Sequence, residues 1–415
     1  MRLPFDTALL LLALGNTLVE PVFADQNNLP RRHLLKRATD GFHKTALRHS
    51  AGLAKDLRIA FRGLGLTHPA RVLAPSQSNS TTTSFPHSSS SVSPASTSRG
   101  SPSATSSSVA NPSSTAPVSN WRLAQSYSGN TFFSGWNFFT GADPTNGIVQ
   151  YVDQQTAQSS NLISINGNGN AIMRVDTTPQ VSGNRASVRI QTHVHMPTGC
   201  GTWPAFWTDG PTWPQTGEID IVEGVNDYTN NQATIHTNAG CVLPTGNVTA
   251  LGISGTIVGG TNCAALETGN QGCGVRASQT NSFGAAFNNG GGGVYAMRWD
   301  DSGVAIYFFA RNSIPSDITA GAPVPEGWGT PSAFWPASSC NPFEFFQNHS
   351  AILDTTLCGD WASAVWTASG IPGQEQSCAQ RTGVATCEQF VRQNGAALSD
   401  AYWEIKGVQI YQSKS

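Results

Sequence analysis

Residues Gly217–Gly224 read GEIDIVEG, three carboxylates within six residues of an otherwise apolar run. Side chains alternate along a β-strand, so Glu218 and Asp220 share a face and Glu223, five residues from Glu218, falls on the other. That regular geometry would bury Glu223 beside Ile219 and Ile221, which is costly for a carboxylate without partners. A β-bulge removes the conflict, because two residues on the bulged strand oppose one on its neighbour. One extra residue at Ile221-Val222 returns Glu223 to the face of the other two acids and leaves both hydrophobics inward. The chain is thereby constrained to a sheet with one irregular strand carrying three acids on one face. The plain alternative is an exposed acidic strand or a cation site.

The rest of the C-terminal part supplies the sheet. ASVRIQTHVHM (186–196) alternates, with Val188, Ile190, Thr192, Val194 and Met196 on one face and Arg189, Gln191, His193 and His195 on the other. GVAIYFFAR (303–311) puts Val304, Ile306 and Phe308 on one side, and AYWEIKGVQIYQ (401–412) reads as a late strand. NGNGN, NNGGGG and DDSG punctuate them. No long 3.6-period segment competes, and many short strands at this spacing predict a β-sandwich or barrel. Charged residues are 12 % of the chain and Gly numbers 42, the balance of an extracellular β-protein more than of a helical cytosolic one. A formal charge of −2 gives no electrostatic reason to expect nucleic acid.

The chain changes character three times before this domain. Residues 1–24 read as a signal peptide, with Arg2, the apolar run Ala8–Leu14 and Val22-Phe23-Ala24 as a small-residue cleavage signal. The run is short for a membrane span, and no stable membrane insertion is expected. Residues 25–74 are basic and propeptide-like, with a dibasic Lys36-Arg37 and a loosely amphipathic pattern. Residues 75–119, rich in Ser, Thr and Pro, lack the apolar area to offset their ordering entropy and are expected to be a disordered linker. From residue 120 onward about 295 residues remain, enough for one large domain, and all the Trp and Cys lie here. Eight cysteines in an exported chain predict disulfides, with 105 possible pairings. N-x-S/T sequons stand at Asn79, Asn247 and Asn348. The HxH pair of His193 and His195 lacks an evident third ligand, and no metal site is assigned to it.

The carboxylates acquire a chemical context from their surroundings. With the bulge, Glu218 and Glu223 are effectively four positions apart, roughly 13 Å of strand, a gap that two converging Glu side chains can largely close. A retaining glycosidase uses two carboxyls about 5–5.5 Å apart, one as nucleophile and one as acid/base. Asp220 between them raises a neighbour's proton affinity by like-charge repulsion. Trp203, Phe206, Trp207 and Trp213 stand just upstream in GTWPAFWTDGPTWPQTGE. Sugars present apolar faces that stack on aromatic rings, so Trp beside paired carboxylates is a carbohydrate-site constellation.

GEIDIVEG preceded by GTWPAFW resembles the family 16 glycoside hydrolases, in particular the fungal laminarinase-like endo-β-1,3(4)-glucanases. The resemblance extends across 121–413 and includes YSGNTFFSGWNFFTGADPTNGIVQYV, GNRASVRIQT, TIHTN, LDTTLCGDWA and AYWEIKGVQIY. The five-residue acid spacing matches the laminarinase branch; the regular branch spaces its acids i, i+2, i+4. The resemblance implies an all-β, concanavalin A-like jelly-roll sandwich with an open concave cleft. It implies Glu218 as nucleophile, Asp220 as its assisting carboxylate and Glu223 as general acid/base. It implies Trp213, His236 and Trp361 as substrate-binding residues; Trp207 and Arg189 are expected to line the same cleft. No cofactor is required. Some members carry a structural calcium, for which Asp400 is a candidate ligand. The implied activity is secreted, retaining hydrolysis of β-1,3 or mixed β-1,3/1,4 glucan by a monomer, in the medium or at the cell wall. Two alternatives stand: a cell-wall transglycosylase using the same carboxylates, and a non-catalytic glucan-binding protein.

Overall fold

A computed structural model describes residues 8–13, 118–190 and 196–414. The basic segment, the Ser/Thr/Pro linker up to residue 117, and His193 and His195 lie outside the described residues. In chain order the strands are β1 (Ala8–Ala13), β2 (Trp121–Ser128), β3 (Val149–Tyr151), β4 (Ile163–Ile165), β5 (Ala171–Arg174), β6 (Arg185–Ser187), β7 (Arg189–Ile190), β8 (Thr202–Asp209) and β9 (Glu218–Glu223). They continue as β10 (Gln232–His236), β11 (Thr256–Val258), β12 (Cys273–Arg276), β13 (Gly293–Asp300), β14 (Gly303–Ala310), β15 (Ala333–Pro336), β16 (Ser350–Leu357), β17 (Tyr402–Ile405) and β18 (Gly407–Ser413).

Two antiparallel sheets pack face to face as a jelly-roll sandwich. One runs β15-β14-β13-β1-β18-β2, the other β11-β12-β10-β9-β8-β16-β7. Alternation decides which side chains fill the space between them. Val304, Ile306 and Phe308 of β14 join Met297, Trp299 and Ile410 from the first sheet against Phe206, Ile219, Ile235 and Leu353 from the second. The opposite side chains of β14, Ala305 and Tyr307, enter a smaller cluster outside the first sheet with Trp121, Trp328 and Tyr411. Removing this apolar surface from water is the main term holding the layers together.

Two expectations change in detail. The stretch 186–196 is not one strand: β6 ends at Ser187, where it pairs in parallel with β3, and β7 pairs with β16 in the other sheet. AYWEIKGVQIYQ is likewise two strands, because β17 pairs with β5 and β18 with β2 and β1. Ala8–Ala13, part of the expected signal peptide, forms β1 in the interior of the six-stranded sheet. It pairs with β13 from Ala8–Trp299 to Ala13–Val294, and with β18 from Ala8–Gln412 to Ala13–Gly407. Leu9 and Leu10 are buried. A short apolar run satisfies both a leader and a buried strand, so periodicity does not separate them.

All eight cysteines pair: Cys200–Cys378, Cys241–Cys340, Cys263–Cys273 and Cys358–Cys387. Two of the four bridges anchor the segment 358–387, which carries Trp361.

Candidate active site

The register of β8 against β9 shifts at one point. Phe206 pairs with Val222 and Trp207 with Asp220, so Ile221 is the extra residue. Ile219, Ile221 and Val222 are all in the core, at 0 %, 1 % and 0 % exposure. Glu218, Asp220 and Glu223 therefore share the face of the seven-stranded sheet that points away from the core. The flanking Gly217 is required: its φ is +76°, and a Cβ there would run into the Phe345 carbonyl and the Phe346 ring.

The neighbouring strands bring partners to that face. On β10, His236 pairs with Glu218 and Thr234 with Asp220, and His236 Nε2 lies 3.3 Å from Asp220 Oδ2. On β8, Trp203 Nε1 donates to Glu223 Oε1 at 2.8 Å. Trp213, in the turn between β8 and β9 and 40 % exposed, donates its indole N–H to Glu218 Oε2. Each glutamate thus receives an indole hydrogen bond, while Asp220 sits buried between Glu218 and His236.

This crowding moves protons. Burial first, then the charge and hydrogen bond of Glu218, raise the Asp220 carboxyl well above the usual range. Burial and then the charge of Asp220 do the same to Glu223, against the lowering effect of the Trp203 hydrogen bond. Burial and the Asp220 charge both favour the protonated form of Glu223, the form a general acid uses.

The remaining predicted residues take up two groups. Trp207 and Arg189 lie on the acid-bearing face beside Asp354 of β16. Arg189 Nε is 3.7 Å from Asp354 Oδ2, and its guanidinium lies 4.7 Å from the Phe139 ring and 4.8 Å from the Trp207 ring. Trp207 also donates a hydrogen bond to Asp354. Trp361 stands on the other side. It follows Cys358 and Gly359, both at positive φ, and a Cβ on Gly359 would press on the Trp203 ring. Its ring meets Trp203 edge-on at 5.8 Å and Tyr228 at 6.1 Å.

The structure adds residues that sequence reading missed. Asp209 pairs with Glu218 across β8 and β9, and burial and the Glu218 charge raise its carboxyl to about 6. Burial raises Asp354 to about 7 despite Arg189. Asn231, which precedes β10, bonds through its side chain to the bulge backbone at Ile221 and Glu223. No spacing rule points to these three, whose partners come from other strands or from the bulge itself. Among the described residues two groups bring three metal-ligand atoms close together: Glu218, Asp220 and His236, and Cys200, Asp227 and Cys378, whose cysteines are disulfide-bonded. The exposed Asp400 belongs to neither group.

Comparison with known proteins places this geometry among relatives. The family model described as XgeA-like, catalytic GH16 domain, matches residues 136–411. A probable glycosidase of Schizosaccharomyces pombe is 41 % identical over 307 residues, covering 70 % of this chain and 69 % of that protein. A probable endo-1,3(4)-beta-glucanase of Aspergillus niger is 41 % identical over 314 residues; the match spans 72 % of this chain and 41 % of the Aspergillus protein, less than half its length. Laminarinase 16A of Phanerochaete chrysosporium, solved with 6-O-glucosyl-laminaritriose in its donor and acceptor sites, aligns with a TM-score of 0.62 and 38 % identity, over 70 % of this chain and 99 % of its own.

Proposed function

The chain belongs to glycoside hydrolase family 16, and from that premise we propose that it is a secreted, retaining endo-glucanase cleaving β-1,3 and mixed β-1,3/1,4 glucan. The observation that carries the reading is the bulge at Ile221, which gathers Glu218, Asp220 and Glu223 on one face. Glu223 donates its proton to the glycosidic oxygen as Glu218 attacks the anomeric carbon. The downstream sugar leaves and a glycosyl ester forms on Glu218. Glu223, now a carboxylate, takes a proton from water, which attacks the anomeric carbon and frees Glu218. Asp220, hydrogen-bonded to Glu218, orients the nucleophile. Trp213, His236, Trp361, Trp207 and Arg189 bind and position the glucan. The raised carboxyl of Glu223 favours catalysis over simple binding, since a binding protein has no use for a group held ready to give up a proton. The same carboxylates would serve transfer to a second sugar; products longer than the starting oligosaccharide would move the assignment to transglycosylation.

Export and a monomeric, cell-wall-associated or free state are part of the proposal. Four disulfides support an oxidising compartment, and Asn247 and Asn348 of the sequons are exposed. No described helix is long and apolar enough to cross a membrane. The test is Glu218→Gln. Turnover of laminarin is expected to fall by roughly 10⁴-fold while laminarin binding stays near that of the unaltered chain. Hydrolysis retained in that variant would remove the assignment.

A further inference from the structure

We propose that Asn231 is a positioning residue for Glu223: its side-chain amide closes the bulge in β9 and so fixes the direction from which the acid/base carboxyl reaches the substrate. The inference rests on the catalytic reading of Glu223 given above.

A bulge leaves backbone groups without ladder partners, and β9 lies inside the sheet, between β8 and β10. On the β10 side, regular pairing runs through His236–Glu218, Ile235–Ile219 and Thr234–Asp220 and then stops. The next groups of β9 are met by one side chain. Asn231 Nδ2 donates to the Ile221 carbonyl at 2.9 Å, and the Glu223 N–H donates to Asn231 Oδ1 at 3.0 Å. Along one edge a primary amide presents an N–H and its C=O side by side, as a strand residue presents its own N–H and C=O to a neighbouring strand, so Asn231 continues the ladder across the irregularity.

The amide is itself held. Asn231 is 3 % exposed. Its N–H donates to Ser282 Oγ at 2.9 Å, and its carbonyl accepts from the Ala277 N–H at 2.8 Å. Ser282 is fully buried, and its hydroxyl donates onward to the Gln279 carbonyl at 2.7 Å. Glu223 is thus fixed at both ends, its backbone by Asn231 and its carboxyl by Trp203. Asn231 does not contact the carboxyl, so its effect on the reaction passes through the backbone.

The test compares two substrates by kcat/KM, which reports the steps through formation of the glycosyl-enzyme. Laminarin has a poor leaving group and needs the acid; a 2,4-dinitrophenyl β-glucan oligosaccharide leaves without it. Asn231→Ala is expected to lose about 10²-fold on laminarin, the cost of a small misplacement of a reacting group, and less than about 3-fold on the dinitrophenyl substrate, where acid assistance is not required. Equal losses on both, or none on either, would overturn the proposal. Asn231→Asp covers the case in which the alanine variant does not fold. Protonated, it presents O–H to Ile221 and C=O to Glu223; ionised, it opposes the Ile221 carbonyl. Its laminarin activity relative to the unaltered chain at the same pH is expected to rise as pH falls, and a constant ratio counts against the proposal. Glu223→Gln separates the two readings. If it still hydrolyses laminarin, the catalytic reading fails. If it loses laminarin but spares the dinitrophenyl substrate while Asn231→Ala loses both equally, only the positioning role fails.

Discussion

Glu223 is pulled in two directions: burial and the charge of Asp220 favour its acid form, and the indole N–H of Trp203 favours its carboxylate. Activity that needs Glu223 protonated is lost as pH rises through its pKa. Trp203→Phe removes a lowering influence, so the alkaline limb of kcat/KM on laminarin should move to higher pH; an unmoved limb would show that this hydrogen bond does not tune the acid. The residue scale also shows where sequence reading runs out. Trp213, five residues before Glu218, is legible through the family resemblance, and its indole reaches Glu218. Trp203 was visible only as one aromatic among several. Its bond to Glu223 depends on the bulged register that pairs Ala205 with Glu223. Asn231 sits in a polar run, TNNQ, with nothing local to distinguish it from a solvated asparagine.

At the scale of elements, the irregular strand was the legible one. An odd spacing of acids in an apolar run has a single economical solution, and β9 adopts it. Strands that change sheets were less legible, because 186–190 and 401–412 keep their alternation while their partners change at Val188 and Lys406. β1 shows the same limit. ALLLLA reads as a leader, and in the uncleaved chain it pairs on both sides in the first sheet. Removing it strips β13 and β18 of those partners and exposes what Leu9 and Leu10 cover. Each buried leucine contributes about 1.5–3 kcal/mol. The uncleaved chain should therefore unfold at a higher temperature than the chain beginning at residue 25 that leader removal leaves, by on the order of 5–10 °C. Equal midpoints would mean that β13 and β18 close directly on one another.

At the scale of the whole molecule, buried acids make stability depend on pH. Asp354 is raised from 3.8 to about 7 and Asp209 to about 6. Below about pH 4 both are protonated whether folded or unfolded. As pH rises toward 7, the unfolded chain releases protons that the folded chain retains, so stability falls. Asp220 and Glu223 act with the same sign. Thermal unfolding should thus occur at a higher temperature near pH 5 than near pH 8, with a smaller difference in Asp354→Asn; a midpoint that rises over that interval would contradict the assignment. The all-β class was legible from alternation and turn residues, because strand pattern is local. The pairing of the eight cysteines was not, since a bridge such as Cys200–Cys378 joins residues 178 apart and only the finished fold brings them together. The central claim, that Glu218 and Glu223 act as nucleophile and acid/base on one face, is tested most directly by proton NMR of the first sugars released from laminarin. Two displacements at one carbon retain configuration, so new reducing ends should appear as the β-anomer and then mutarotate. An α-anomer appearing first would contradict the account.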